Sequence, residues 1–225
     1  PNLVVRPVGR ERFAPEDGAS LRAVVAELHP KAIVLGMGAG RDPGTIGALA
    51  EAIASAPSET PIVVDADALD ALPPAAPPGR RIVATPNAGE YARVFGGRSD
   101  GPLSEVVGGA RAIAALRRVV LVVKGDPDLI TDGEESFQNH HHSMHQTVSG
   151  VGDILAGTLG SLVGLGLRPI HAARLATYWV GEAGIRAAAR RGIGTMATDL
   201  LDELAGAAVD ALAPSPATGA PRDQT

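Results

Sequence analysis

The strongest constraint on this chain is an alternation. Short apolar, β-branched runs recur at Leu3–Arg6, Ala32–Leu35, Pro61–Asp65, Arg81–Thr85, Val119–Val123, Asp128–Thr131 and Glu134–Gln138. Several are continuous rather than alternating, as in strands buried on both faces. Between them lie stretches of helical composition, Ala19–His29, Pro43–Ala56, Ala88–Phe95 and Leu103–Leu116. Strand–helix alternation builds βαβ units and a mainly parallel sheet. After Gln138 the pattern changes to three helices, near Gly152–Leu165, Pro169–Arg190 and Thr198–Leu212. Asp132-Gly133, between two extended runs, reads as a hairpin turn. The expected fold class is α/β, a three-layer α/β/α sandwich. Residues 1–212 are expected to form one domain, and the Pro/Ala/Ser-rich residues 213–225 a disordered tail.

Composition narrows the function. The net charge of −5 is spread along the chain, leaving no basic stripe to neutralise nucleic-acid phosphates. With no cysteine, a disulfide scaffold, a thiol nucleophile and a cysteine-ligated metal are all excluded. The longest uncharged apolar run, Ile154–Leu167, has 14 residues. A spanning helix needs about 20, so no membrane partner is expected. No signal-peptide pattern is present, and the cytoplasm is the expected compartment. The chain opens on Pro1 and runs straight into a strand-like segment, which suggests a fragment or a trimmed chain.

Ligands of open α/β sheets sit at the carboxyl ends of the strands, so the residues following each run carry most of the information. Gly36-Met37-Gly38-Ala39-Gly40-Arg41-Asp42 follows the second run. Its glycines allow close backbone approach to a ligand at a helix start, or form a plain βα turn with Asp42 as N-cap. Asp65 and Asp67 follow the third run and could hold a metal or order a ligand. The competing reading, favoured for at least one of them, is a cap on a short helix beginning at Ala68. Thr85-Pro86-Asn87-Ala88-Gly89-Glu90 has capping-box spacing. That capping reading is favoured by the spacing; the functional alternative aims Asn87 and Glu90 at a metal–phosphate unit. Lys124, directly after a buried run, stands where a phosphate would lie, or is a solvated turn residue.

Ser149-Gly150-Val151-Gly152-Asp153 opens the apolar helix. Gly150 and Gly152 expose amides that, with the helix dipole, favour an anion. Asp153 could act as a base towards a substrate hydroxyl, or Ser149 or Asp153 could simply cap the helix. His140, His141, His142 and His145 crowd one segment, but adjacent side chains diverge and at most two could share a metal. The segment is expected to lie near the site and touch nucleotide. Tyr178 and Trp179 are expected in the core or at an interface.

The ordered set GMGAGRD, VVDADAL, TPNAGEYARVF, VVKGDPDLITDG and SGVGDILAG resembles the NAD(P)H-hydrate dehydratase family of the ribokinase-like superfamily, from Leu3 to Val209. The spacing from Lys124 to Gly133 looks most like archaeal members. The resemblance implies ADP- or ATP-dependent repair, with Mg2+, of NADH or NADPH hydrated on the nicotinamide ring. The ring hydroxyl is phosphorylated and phosphate is then eliminated. It implies Asp153 as base, with Gly150 and Gly152 stabilising the transferring phosphoryl group. It also implies Lys124, Gly125, Asp126, Pro127, Asp128 and Gly152 at the adenine nucleotide. Gly38, Asn87 and Asp153 would contact the hydrated dinucleotide, and Glu90 would assist the metal indirectly.

Asn87 stands where the family usually has His, which restores the N-x-x-E pattern of ribokinase-like vitamin kinases. A kinase of a hydroxylated vitamin precursor is therefore the first alternative. Ser149 and Val151 replace a Gly and a Thr, and a hydroxyl is lost at Val151. Family members carry roughly sixty further residues upstream, with a first strand and helix that bear ligand contacts, so a truncated nucleotide-binding domain without activity is the second alternative. A homo-oligomer and an epimerase, fused or separate, complete the implied partners.

Overall fold

The computed structural model of the chain describes residues 5–7 and 13–212. Of the expected first strand only Val5 and Arg6 lie within them, and neither is in a strand. The tail from Ala213 lies outside them.

Six strands form one sheet in sequence order, β1 (Ile33–Leu35), β2 (Ile62–Val64), β3 (Ile82–Ala84), β4 (Val120–Val123), β5 (Asp128–Thr131) and β6 (Ser136–Asn139). The first four are parallel, and β5 and β6 return antiparallel. Strand periodicity sends alternate residues to opposite layers. Ile62, Val64, Ile82, Ala84, Leu121 and Val123 pack against α2 (Pro43–Ser55), α3 (Ala88–Phe95) and α4 (Leu103–Arg117), with α1 (Gly18–Leu28) lying on α2. Val63, Val83, Val120 and Val122 pack against α5 (Val151–Gly164), α6 (Pro169–Arg191) and α7 (Ala197–Leu212). The result is the expected three-layer α/β/α sandwich.

Local chemistry explains the boundaries. Asp42 caps α2 by accepting the Thr45 N–H at 3.1 Å, with Pro43 in the first turn. α3 carries the full capping box: Asn87 Oδ1 accepts the Glu90 N–H at 2.9 Å, and Glu90 Oε2 accepts the Asn87 N–H at 2.8 Å. Three expectations need correction. β6 starts at Ser136 rather than Glu134, because Asp132 Oδ1 takes the N–H groups of Glu134 and Glu135 and keeps both in the turn. The short helix expected from Ala68 is a 3-10 segment, Ala66–Ala71, so Asp67 lies inside it and caps nothing. Neither Ser149 nor Asp153 caps α5; Gly150 does so at φ 95°, without a side-chain bond.

β1 and β2 end in unusually close contact. Gly36 follows β1 at φ 124°, and a Cβ there would stand 1.9 Å from the Asp65 carbonyl oxygen. Left-handed backbone and lack of space both demand glycine. Gly36→Ala is expected to cost about 3 kcal/mol or more in urea unfolding, through backbone strain and overpacking; an unchanged midpoint would show that the two strand ends separate without penalty.

Candidate active site

The carboxyl ends of β2, β3 and β4 meet on one buried carboxylate. Asp65, following β2, is 2% exposed. Its Oδ1 accepts from Thr85 Oγ1, following β3, and from Lys124 Nζ, following β4, each at 2.8 Å. The β3–β4 pairing continues past the strands through a parallel bridge between Asn87 and Lys124, with the Lys124 N–H donating to the Pro86 carbonyl at 2.8 Å. Above the pair stands the first turn of α5. A Cβ on Gly152 would lie 3.4 Å from Lys124 Nζ and 3.6 Å from Asp65 Oδ2, so glycine keeps that face of the ammonium clear.

A cleft of about 760 Å³ opens beside the lysine. Asn87, Lys124, Gly125, Asp126, Asp128 and Gly152 line it, with Val151, His140 and His142. Pro127 completes the turn between Asp126 and Asp128 and follows a cis peptide bond. The Gly125 N–H donates to Asp128 Oδ1 at 3.0 Å and closes that turn. Burial pushes the Asp128 carboxyl above the ordinary range, against the Gly125 N–H, the Asn139 amide and His142; Asp126 adds to the upward push.

The other candidates lie apart from this cleft's lining. Asp153 is exposed on α5 and heads a second, mainly apolar groove with Gly157, Trp179, Leu201 and Leu204. Gly38 is exposed in the loop after β1. That loop is tied down by the Gly40 N–H donating to Asp67 Oδ2 at 2.9 Å, and by Arg41, which shares Asp70 with Arg93 of α3. Burial opposes the Asp70 charge, but the Arg93 and Arg41 donors outweigh it and hold the carboxyl below its ordinary range. Glu90 is engaged in its own capping box.

The histidines separate, as their adjacency requires. His141 stacks on Tyr178 with centroids 4.5 Å apart and meets Glu182 Oε2 at 2.8 Å. His142 turns to the cleft, where its Nε2 lies 3.4 Å from Asp126 Oδ1. Trp179 packs against the α5–α7 core cluster. Among the described residues no group of three or more His, Asp or Glu could by itself hold a metal ion, and no helix is long and apolar enough to cross a membrane.

Residues 10–205 match the family model described as NAD(P)H-hydrate dehydratase. The chain belongs to that family. It is 34% identical to a bifunctional NAD(P)H-hydrate repair enzyme of Hyperthermus butylicus, over 91% of this chain and 39% of that protein. It is 33% identical to the ADP-dependent (S)-NAD(P)H-hydrate dehydratase of Natrialba magadii, over 90% of this chain and 72% of that one. The family member described here thus spans about two-fifths of the bifunctional relative's length. Solved ribokinase-like structures share its fold. One, the ADP/ATP-dependent NAD(P)H-hydrate dehydratase of Bacillus subtilis co-crystallised with ATP and Mg2+, superposes with a TM-score of 0.69 at 24% identity, covering 80% of this chain and 64% of that one.

Sequence reasoning left Asp65 between ligand and cap; its place at the end of a continuous apolar run was the signal that it would be buried and need a cation. Removing that cation strands the carboxylate. Lys124→Met is therefore expected to cost about 2–4 kcal/mol in urea unfolding, with Asp65→Asn recovering part of the loss in the double variant. Additive losses would show that the two side chains act independently.

Proposed function

We propose that the protein is an ADP- or ATP-dependent NAD(P)H-hydrate dehydratase, which phosphorylates the hydroxyl of hydrated NADH or NADPH and eliminates phosphate to restore the reduced ring. One observation carries the reading. Lys124, the turn that follows it and the amino terminus of α5 converge on a single cleft, next to the Asn87 helix start. The names of the relatives, ADP-dependent dehydratase and hydrate repair enzyme, support it.

The cleft's volume is in the range of small-molecule sites. An adenine nucleotide would lie along Lys124, Gly125, Asp126, Pro127, Asp128 and Gly152. Its phosphates compete with Asp65 for Nζ, so the lysine is held in place before the ligand arrives. Gly150 opens α5 at positive φ and Gly152 adds no side chain, and the first amides of α5 with the helix dipole would stabilise the transferring phosphoryl group. Val151 adds no hydroxyl, so the cradle is backbone alone.

Asp153, in the same turn, is the base: it accepts the proton of the ring hydroxyl as the new O–P bond forms and the nucleotide's terminal P–O bond breaks, releasing AMP from ADP or ADP from ATP. Phosphate then departs far more readily than hydroxide, and loss of a ring proton restores the double bond. Gly38 and Asn87 would contact the dinucleotide. Mg2+ fits as an ion carried chiefly by the nucleotide's phosphates and water, with Glu90 acting indirectly, and when bound it would offset phosphate charge. The reading includes the cytoplasm as compartment, a homo-oligomer, and an epimerase partner, fused or separate; the bifunctional relatives support the last. The kinase alternative rests on Asn87 and Glu90, whose reciprocal bonds already account for that spacing.

Recovery of absorbance by hydrated NADH, with Mg2+ and ADP or ATP, tests the proposal. The parent is expected to restore the reduced-nicotinamide band. Asp153→Asn should slow it about 10²–10⁴-fold, as for loss of a general base, while nucleotide still raises the melting temperature. A stable phosphorylated product would favour the vitamin kinase. Nucleotide binding without turnover by the parent would favour the inactive binder.

A further inference from the structure

Asn139 closes β6 at 9% exposure and uses every hydrogen-bonding group of its amide. Nδ2 donates to Asp128 Oδ2 at 3.2 Å and to the Thr177 carbonyl of α6 at 3.3 Å. Oδ1 accepts the His141 N–H at 3.2 Å. The partners dictate this orientation, because the opposite one would aim an amide oxygen at a carboxylate and a carbonyl. Three parts of the cleft wall therefore meet on one side chain: the turn after β4, helix α6 and the histidine segment.

The acidic turn depends on it most. Asp128 has one oxygen on the Gly125 N–H and the other on Asn139. The remaining charged or titratable groups facing it are His142 and Asp126, one on each side of its charge balance. An apolar residue at 139 would fill the space and leave the β5–β6 backbone ladder intact, but would leave Asp128 with one donor fewer and release the histidine segment.

We propose that Asn139 is a positioning residue for the nucleotide side of the cleft, acting through Asp128 and the backbone of His141. The inference rests on the dehydratase reading only in taking an adenine nucleotide as the ligand. Its role is to hold the turn from Gly125 to Asp128 in the shape that meets the nucleotide. It touches neither nucleotide nor reacting atoms.

The test is ADP and ATP binding by calorimetry to the full chain as parent, Asn139→Ser, Asp128→Asn and the double variant. Carbon-13 NMR titration of the Asp128 carboxyl and steady-state kinetics accompany it. Asn139→Ser should weaken nucleotide binding about tenfold and raise the nucleotide KM with kcat within about twofold, by loss of one charge-assisted bond. The Asp128 titration should move to higher pH, since a donor to the charged form is gone. The double variant should bind as weakly as Asp128→Asn alone. Unchanged affinity in Asn139→Ser, or losses that multiply in the double variant, would overturn the proposal and leave a structural brace.

If Asn139→Ser does not fold, the isosteric Asn139→Asp answers instead. Its nucleotide affinity should fall more steeply with rising pH than the parent's, as the proton shared by the two carboxyls is lost; a pH dependence identical to the parent's would count against the proposal. A parent that binds neither ADP nor ATP overturns the nucleotide reading and this inference with it.

Discussion

The Asp65–Lys124 pair is the interaction on which the rest of this structure depends. A carboxylate with 2% exposure costs several kcal/mol unless its charge is matched and its lone pairs are used. Here Thr85 and Lys124 supply the donors. Since each comes from a different strand, satisfying one buried charge fixes the relative position of three strand ends. The close approach of Gly36 to the Asp65 carbonyl brings in the end of β1, and Gly152 lets α5 settle over the pair.

The same arrangement sets the state of the lysine that faces the cleft. Lys124 is 22% exposed, so it is partly desolvated yet open towards the cleft. Its ammonium is held by a fixed carboxylate, an orientation that under the proposed reading would lower the reorganisation needed when phosphate binds. The amino terminus of α5 faces the same region with amides that no side chain caps. The lysine paired with that buried acid and the amino terminus of α5 thus meet beside one cleft.

The turn from Gly125 to Asp128 and the histidine segment form one wall, cross-linked through Asn139 to α6. The loop after β1, outside this cleft's lining, is anchored by Asp67 and by Arg41 on Asp70, which Arg93 shares. Asp153 lines the second groove rather than this cleft.

Much of this was legible without coordinates. The alternation of apolar runs and helices specified the layers, because strand and helix periods leave few ways to bury both kinds of apolar face. The α3 capping box, the Asp42 cap and the hairpin at Asp132-Gly133 were readable because their partners lie within four residues. What sequence could not resolve were the partnerships formed across the sheet. Asp65 finds Lys124 59 residues on, and Asn139 reaches Thr177 38 residues on. Asp67, locally a good cap, instead serves Gly40, 27 residues earlier. Short-range propensity acts through bonds that neighbouring residues can make in any fold. Which distant donor meets which buried acceptor is decided only when packing brings strand ends together and excludes the water that would otherwise satisfy them.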